Sequence, residues 1–114
     1  MSYLSNFTNE TGKSILLDIL KTVNLAENSQ KITEAKATAG KEMIAMMQYV
    51  FPIIMQIQIN VIKNYGFAPN REGLVQFSQL IREIEDPDIS KLRSQIRSIY
   101  LPPIAINTTN DILI

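Results

Sequence analysis

MIAMMQYVFPIIMQIQINVI, residues 43–62, is the longest run of the chain without a charged side chain, and its reading decides the fold. It continues a pattern that starts upstream. Ile32, Ala35, Ala39, Met43, Met46, Val50, Ile54, Ile57 and Val61 follow one another at steps of three and four, which places them on one face of an α-helix. Lys31, Glu34, Lys36, Lys41 and Glu42 lie off that stripe, so the first half has a face for water. In the second half Met47, Phe51, Ile53, Met55, Ile59 and Ile62 spread apolar groups around the cylinder, and such a helix has to be enclosed. The spacing therefore predicts one long central helix, organising residues 32–67, whose far half is the core.

Three other readings of the same residues compete. A membrane span needs about 20 apolar residues, but Gln48, Gln56, Gln58 and Asn60 interrupt this one with amides that lipid cannot satisfy. A strand is suggested by the alternation of Met55, Ile57, Ile59 and Val61 with Gln56, Gln58 and Asn60, yet the helical stripe arrives unbroken from far upstream. Met43, Met46, Met47 and Met55 also suit an adaptable binding groove, although methionine commonly fills gaps in cores. Pro52 removes one backbone hydrogen bond and crowds the Gln48 carbonyl. It either kinks the helix between Gln48 and Pro52 or breaks it in two.

Working outward, the stop is Gly66, suited to a left-handed C-cap, with Phe67 folding back toward Ile62 as in a Schellman turn. The start is Ser29, as cap. Before it, a helix over Glu10–Asn24, capped by Thr8 or Asn9, presents Ile15, Leu16, Ile19, Leu20 and Val23, and residues 25–28 connect the two. After it, Asn70 caps a helix with Leu74, Phe77, Leu80, Ile81 and Ile84 inside, and Gly73 near its start suggests a close helix crossing. Asp86-Pro87-Asp88 opens a further helix with a narrow seam of Ile89, Leu92, Ile96 and Ile99. Leu101-Pro102-Pro103 ends it. The tail, 104–114, is apolar enough to lie along the bundle or to dock on a partner. The expectation is an all-α fold: a single domain over 1–103, a bundle of about four helices around a long, proline-kinked central one, and an extended tail.

Composition excludes several functions. Eleven basic and eleven acidic side chains cancel, so no long-range field steers the protein to nucleic acid. No cysteine and no histidine are present. That removes disulfides, thiol nucleophiles, thiolate metal sites and the commonest general base. Residues 1–9 lack the pattern of a signal peptide, so a cytoplasmic location is expected. The sequons at Asn6, Asn9 and Asn107 are then chance matches. Tyr65, Arg71, Glu72 and Asp86 to Asp88 are the polar groups that catalysis would draw on, and each has a structural explanation at a helix end. No phosphate loop, metal spacing or nucleophile elbow occurs. No enzyme, cofactor or metal is expected.

Gln56-Ile57-Gln58, then Val61-Ile62-Lys63-Asn64-Tyr65-Gly66-Phe67, Arg71-Glu72-Gly73, Phe77 and Leu101-Pro102-Pro103 together resemble the protein C-ten family. Pro52 and Ala26-Glu27-Asn28 fit the same pattern, and the likeness runs from about the first helix to Pro103. The chain departs from the animal form at Ala68, where that form carries a cysteine, and in its isoleucine-rich tail. The resemblance implies a small cytoplasmic, non-enzymatic protein, linked in animals to brain and eye development, and brings no catalytic or ligand residues.

The surplus of apolar faces points to a protein-interaction module, an adaptor or complex subunit whose partner is another protein. Tyr49, Phe51, Tyr65, Phe67 and Arg71 are the candidate contact residues, of types favoured at interfaces. For the two phenylalanines core packing is the competing reading. A carrier for an apolar ligand or lipid, lined by Met46, Met47, Met55 and Phe77, is the alternative. Self-association through Ile89, Leu92, Ile96 and Ile99 is a third.

Overall fold

In the computed structural model, which describes residues 7–100, three of the six helices open on a side-chain cap. Helix α1 spans Asn9–Val23, opened by the Thr8 hydroxyl, which accepts from the Thr11 amide at 3.1 Å. It buries Ile15, Leu16, Ile19 and Val23. Two residues later α2, Ala26–Ala39, begins. The expected connector over 25–28 is thus shorter, and Ser29 is not a cap: its amide already donates to the Leu25 carbonyl at 2.8 Å. Asn28 instead ties the corner, donating to the Thr22 carbonyl at 2.8 Å.

The rod expected from Ser29 to Gly66 is divided. Helix α2 ends at Gly40, whose φ of 64° and ψ of −137° are accessible to glycine and strained for other residues. Helix α3, Met43–Tyr49, follows, and α4, Phe51–Ile62, begins across Val50. Pro52 lies in the first turn of α4, where a missing donor is tolerated. Val50 accepts from both Ile53 and Ile54, at 3.1 and 3.2 Å, and the chain turns by 44° there. A short 3₁₀ turn, Lys63–Tyr65, leads to Gly66 at φ 98°. There Gly66 donates to Lys63 and Phe67 to Ile62, at 3.3 and 3.4 Å, which is the Schellman pairing.

Helix α5, Arg71–Arg82, is capped by Asn70, whose Oδ1 accepts from the Gly73 amide at 3.2 Å. Gly73 does mark a close approach, but with the preceding loop and not with another helix. A Cβ there would sit 2.0 Å from the Ala68 carbonyl oxygen. Helix α6, Pro87–Tyr100, is capped by Asp86, whose Oδ1 accepts from Asp88 and Ile89 at 2.8 and 3.4 Å. Its other oxygen takes Asn9 and Lys13 of α1 at 3.3 and 3.4 Å, and Lys13 also pairs with Asp88 at 3.3 Å. Desolvation pushes the Asp86 carboxyl up, but the two amides and Lys13 outweigh it and hold the group below the usual carboxylate range.

The described residues thus form six helices and a 3₁₀ turn, with no strand, so the fold is all-α but more divided than the four-helix expectation. Helix α1 packs against α4 and α6, and α4 also packs against α5. The largest inaccessible side chains come from these four: Ile15, Leu16, Ile19, Ile54, Ile62, Leu74, Phe77, Ile81, Ile89, Ile96 and Tyr100. Enclosure of the far half of the apolar stretch holds for α4. Among the described residues no single helix is long and apolar enough to cross a membrane, and one bent pair, 43–49 with 51–65, passes by length and composition. Leu101-Pro102-Pro103 and the tail lie outside the described residues, as do residues 1–6.

Candidate functional site

The five candidate contact residues fall at the two ends of α4, which a 12-residue helix separates by about 18 Å. At its start, Tyr49 is 48% exposed, whereas Phe51 is buried with its ring edge-on to Tyr100 at 5.7 Å. At its far end Phe67 is also core. Its ring packs edge-on against Phe7 at 6.2 Å and Phe77 at 5.6 Å, and Phe7 meets Phe77 at 6.4 Å. Arg71 is exposed on the first turn of α5. Tyr65 is half-buried, and its hydroxyl donates to the Asp18 carboxylate of α1. Burial first, then that bond and the Asp18 charge, push the phenol up to about 12.

Phe51 and Phe67 are therefore interior, while Tyr49 faces water on the same helix as Ile44, which sequence reasoning passed over, and Met47, which it had named for an apolar groove. On α3 the Ile44 side chain is 73% exposed and Met47 48%. Residues three apart on a helix are neighbours, so Ile44 and Met47 share a strip, with Tyr49 at the same helix's end. Their buried counterpart is Met46, the one buried residue of α3. The signal was present in the spacing: Ile44 and Met47 fall off the stripe of Met43, Met46 and Val50. Two further leucines are exposed, Leu17 at 52% on α1 and Leu25 at 46% at the α1–α2 corner.

The groups expected for the other readings are dispersed. Met46 and Phe77 are buried, Met55 is half-buried and Met47 is exposed. None of the four lines the groove of about 310 Å³ that runs between α2 and α4 past Lys31, Ile53, Gln56 and Asn60. Nor do they line the one of about 330 Å³ between α1 and α6. In the α6 seam, Ile89 and Ile96 are fully buried within the chain, and Leu92 and Ile99 are half-buried. Among the described residues no three acidic side chains come together as a metal-binding group. One polar oddity sits in the core: Gln58 of α4 is inaccessible, and neither atom of its amide has a hydrogen-bond partner among the described residues.

A family model described as Protein C10 matches residues 8–114. Proteins of that name from Mus musculus and Homo sapiens are each 34% identical over 99 residues, covering 85% of this chain and 79% of the relative. The Danio rerio protein is 34% identical over 100 residues, with 86% and 82% covered. No solved structure matches the chain.

Proposed function

The chain belongs to the Protein C10 family, and from that premise we propose that it is a non-enzymatic interaction module, a small cytoplasmic adaptor or complex subunit that binds another protein through α3. The observation that supports this most is the strip of Ile44 and Met47 left in water on a helix of seven residues. Burying one such side chain contributes about 1.5–3 kcal/mol, so the two together offset part of the entropy of association. In this reading α1, α4, α5 and α6 are the four-helix bundle. Helices α2 and α3 form an arm, joined to it at the proline-bent middle of the central rod, that displays the strip.

The test is purification of tagged wild type and of Ile44→Asp from the cells that express the protein, under gentle conditions. The expected result is a stoichiometric protein partner with wild type that Ile44→Asp loses while its own fold is intact by circular dichroism. Recovery of the bare wild-type chain, or a partner equally retained by Ile44→Asp, contradicts the proposal.

A further inference from the structure

We propose that Arg93 and Arg97 form a binding site for a phosphoryl dianion, separate from the α3 strip, with the charge of Arg82 near it. Arg93 and Arg97 stand one turn apart on α6 and so project from the same face. Arg82 closes the last turn of α5, where its Nε donates to the Ser78 carbonyl at 3.3 Å. Burial first, then the charges of Arg97 and Arg82, hold the Arg93 guanidinium below the ordinary arginine range.

Nothing among the described residues compensates two of them. The Nε–H donors of Arg93 and Arg97 are both buried, and neither has an acceptor. No described carboxylate stands at ion-pair distance from either side chain. The C-terminal dipole of α6 favours a cation in the last turn, which helps Arg97 and fades before Arg93. Like charges gathered on a partly desolvated surface, with donors unpaired, are unfavourable unless an anion completes them.

The number of guanidiniums selects the class of anion. A single carboxylate brings one charge and two acceptor oxygens. A phosphoryl group brings nearly two charges and three strong acceptors, which suits two planar forks side by side on one helix face. Inorganic phosphate and a phosphorylated side chain share that chemistry.

The test uses the full chain labelled with ¹⁵N, following the arginine Nε–Hε resonances during titration with inorganic phosphate above its second pKa. The expected result is saturable movement of the Arg93 and Arg97 signals with one common Kd, while the exposed Arg71 does not saturate. Arg93→Gln is expected to weaken binding about tenfold, as loss of one charge-assisted bond implies. Arg93→Lys, which keeps the charge without the fork, is expected to weaken it as well; Arg97→Gln serves if either variant fails to fold. A parallel titration with N-acetyl-phosphoserine amide separates the sources. Tighter binding than phosphate identifies a phosphorylated partner segment, and equal binding a free anion. Absence of saturation, equal movement with acetate, or unchanged affinity in all of the folded variants overturns the proposal.

Discussion

Helices α3 and α4 are neighbours in sequence and alike in composition, yet water treats them differently. Seven of the twelve residues of α4 are buried, and one of the seven of α3. The difference lies in what each one packs against. Helix α4 has α1 on one side and α5 on another, whereas α3 packs on its sequence neighbours α2 and α4. Apolar content makes burial favourable, but a facing surface has to exist before it happens. A greasy helix without such a surface is where our proposal puts the partner.

The largest effect that would break this comparison is a matched pair of truncations. Ile54→Ala in α4 is expected to lower unfolding free energy by about 2–5 kcal/mol, and Ile44→Ala in α3 to change it by less than about 0.5 kcal/mol; urea titration of both reads the contrast directly. Equal losses would mean that α3 is as enclosed as α4. Next comes the turn that delivers the chain from α4 into α5. Gly73→Ala drives a Cβ into the Ala68 carbonyl, 2.0 Å away, so backbone must move. A loss of about 1–3 kcal/mol is expected, and a neutral result by thermal unfolding would show that the loop yields freely.

Gln58 sharpens the comparison from inside α4. Its buried, unpartnered amide is unfavourable where it stands, so Gln58→Met, of similar shape, is expected to stabilise by about 1 kcal/mol. A clear destabilisation would show that the amide is satisfied after all. The smallest effect is alkaline, because the Tyr65 phenol is only half-buried and water screens its contact. Because the Tyr65 phenol is raised from its ordinary 10.0 to about 12, the fold holds that proton more tightly than the unfolded chain does. The resulting stability is complete below about pH 10 and is lost as pH rises toward 12. Wild type should therefore lose more stability across that window than Tyr65→Phe, and parallel curves would remove the Tyr65–Asp18 contact from the account.

How much of this could be read in the chain depended on how local the cause was. The Thr8, Asn70 and Asp86 caps, Pro87 at its helix start and the Gly66 stop are decided within four or five residues, and the spacing located them. Gly40 was passed over because a stripe with steps of three and four continues across it from Ala39 to Met43. Periodicity does not register a change of direction. Ser29 looked like a cap only because the α1–α2 corner, held by Asn28 and Thr22, is tighter than composition suggested. Site residues were harder still. Where apolar groups surround a helix, as in 43–62, no pattern says which side finds a partner, so core packing was a competing reading for Phe51 and Phe67 while Ile44 was missed. The contact of Tyr65 with Asp18 spans 47 residues, and the proximity of Arg82, Arg93 and Arg97 depends on how α5 and α6 meet.

The central claim, that the strip on α3 is open in the isolated chain and covered by a protein in the cell, has a direct measurement because the chain contains no cysteine. Single Ile44→Cys and Ile54→Cys variants can be alkylated both as pure protein and in intact cells. The account requires fast labelling of Ile44→Cys in the pure protein, slow labelling of Ile54→Cys throughout, and strong protection of Ile44→Cys in cells alone. Labelling of Ile44→Cys as slow as Ile54→Cys in the pure protein, or as fast in cells as outside them, would contradict it.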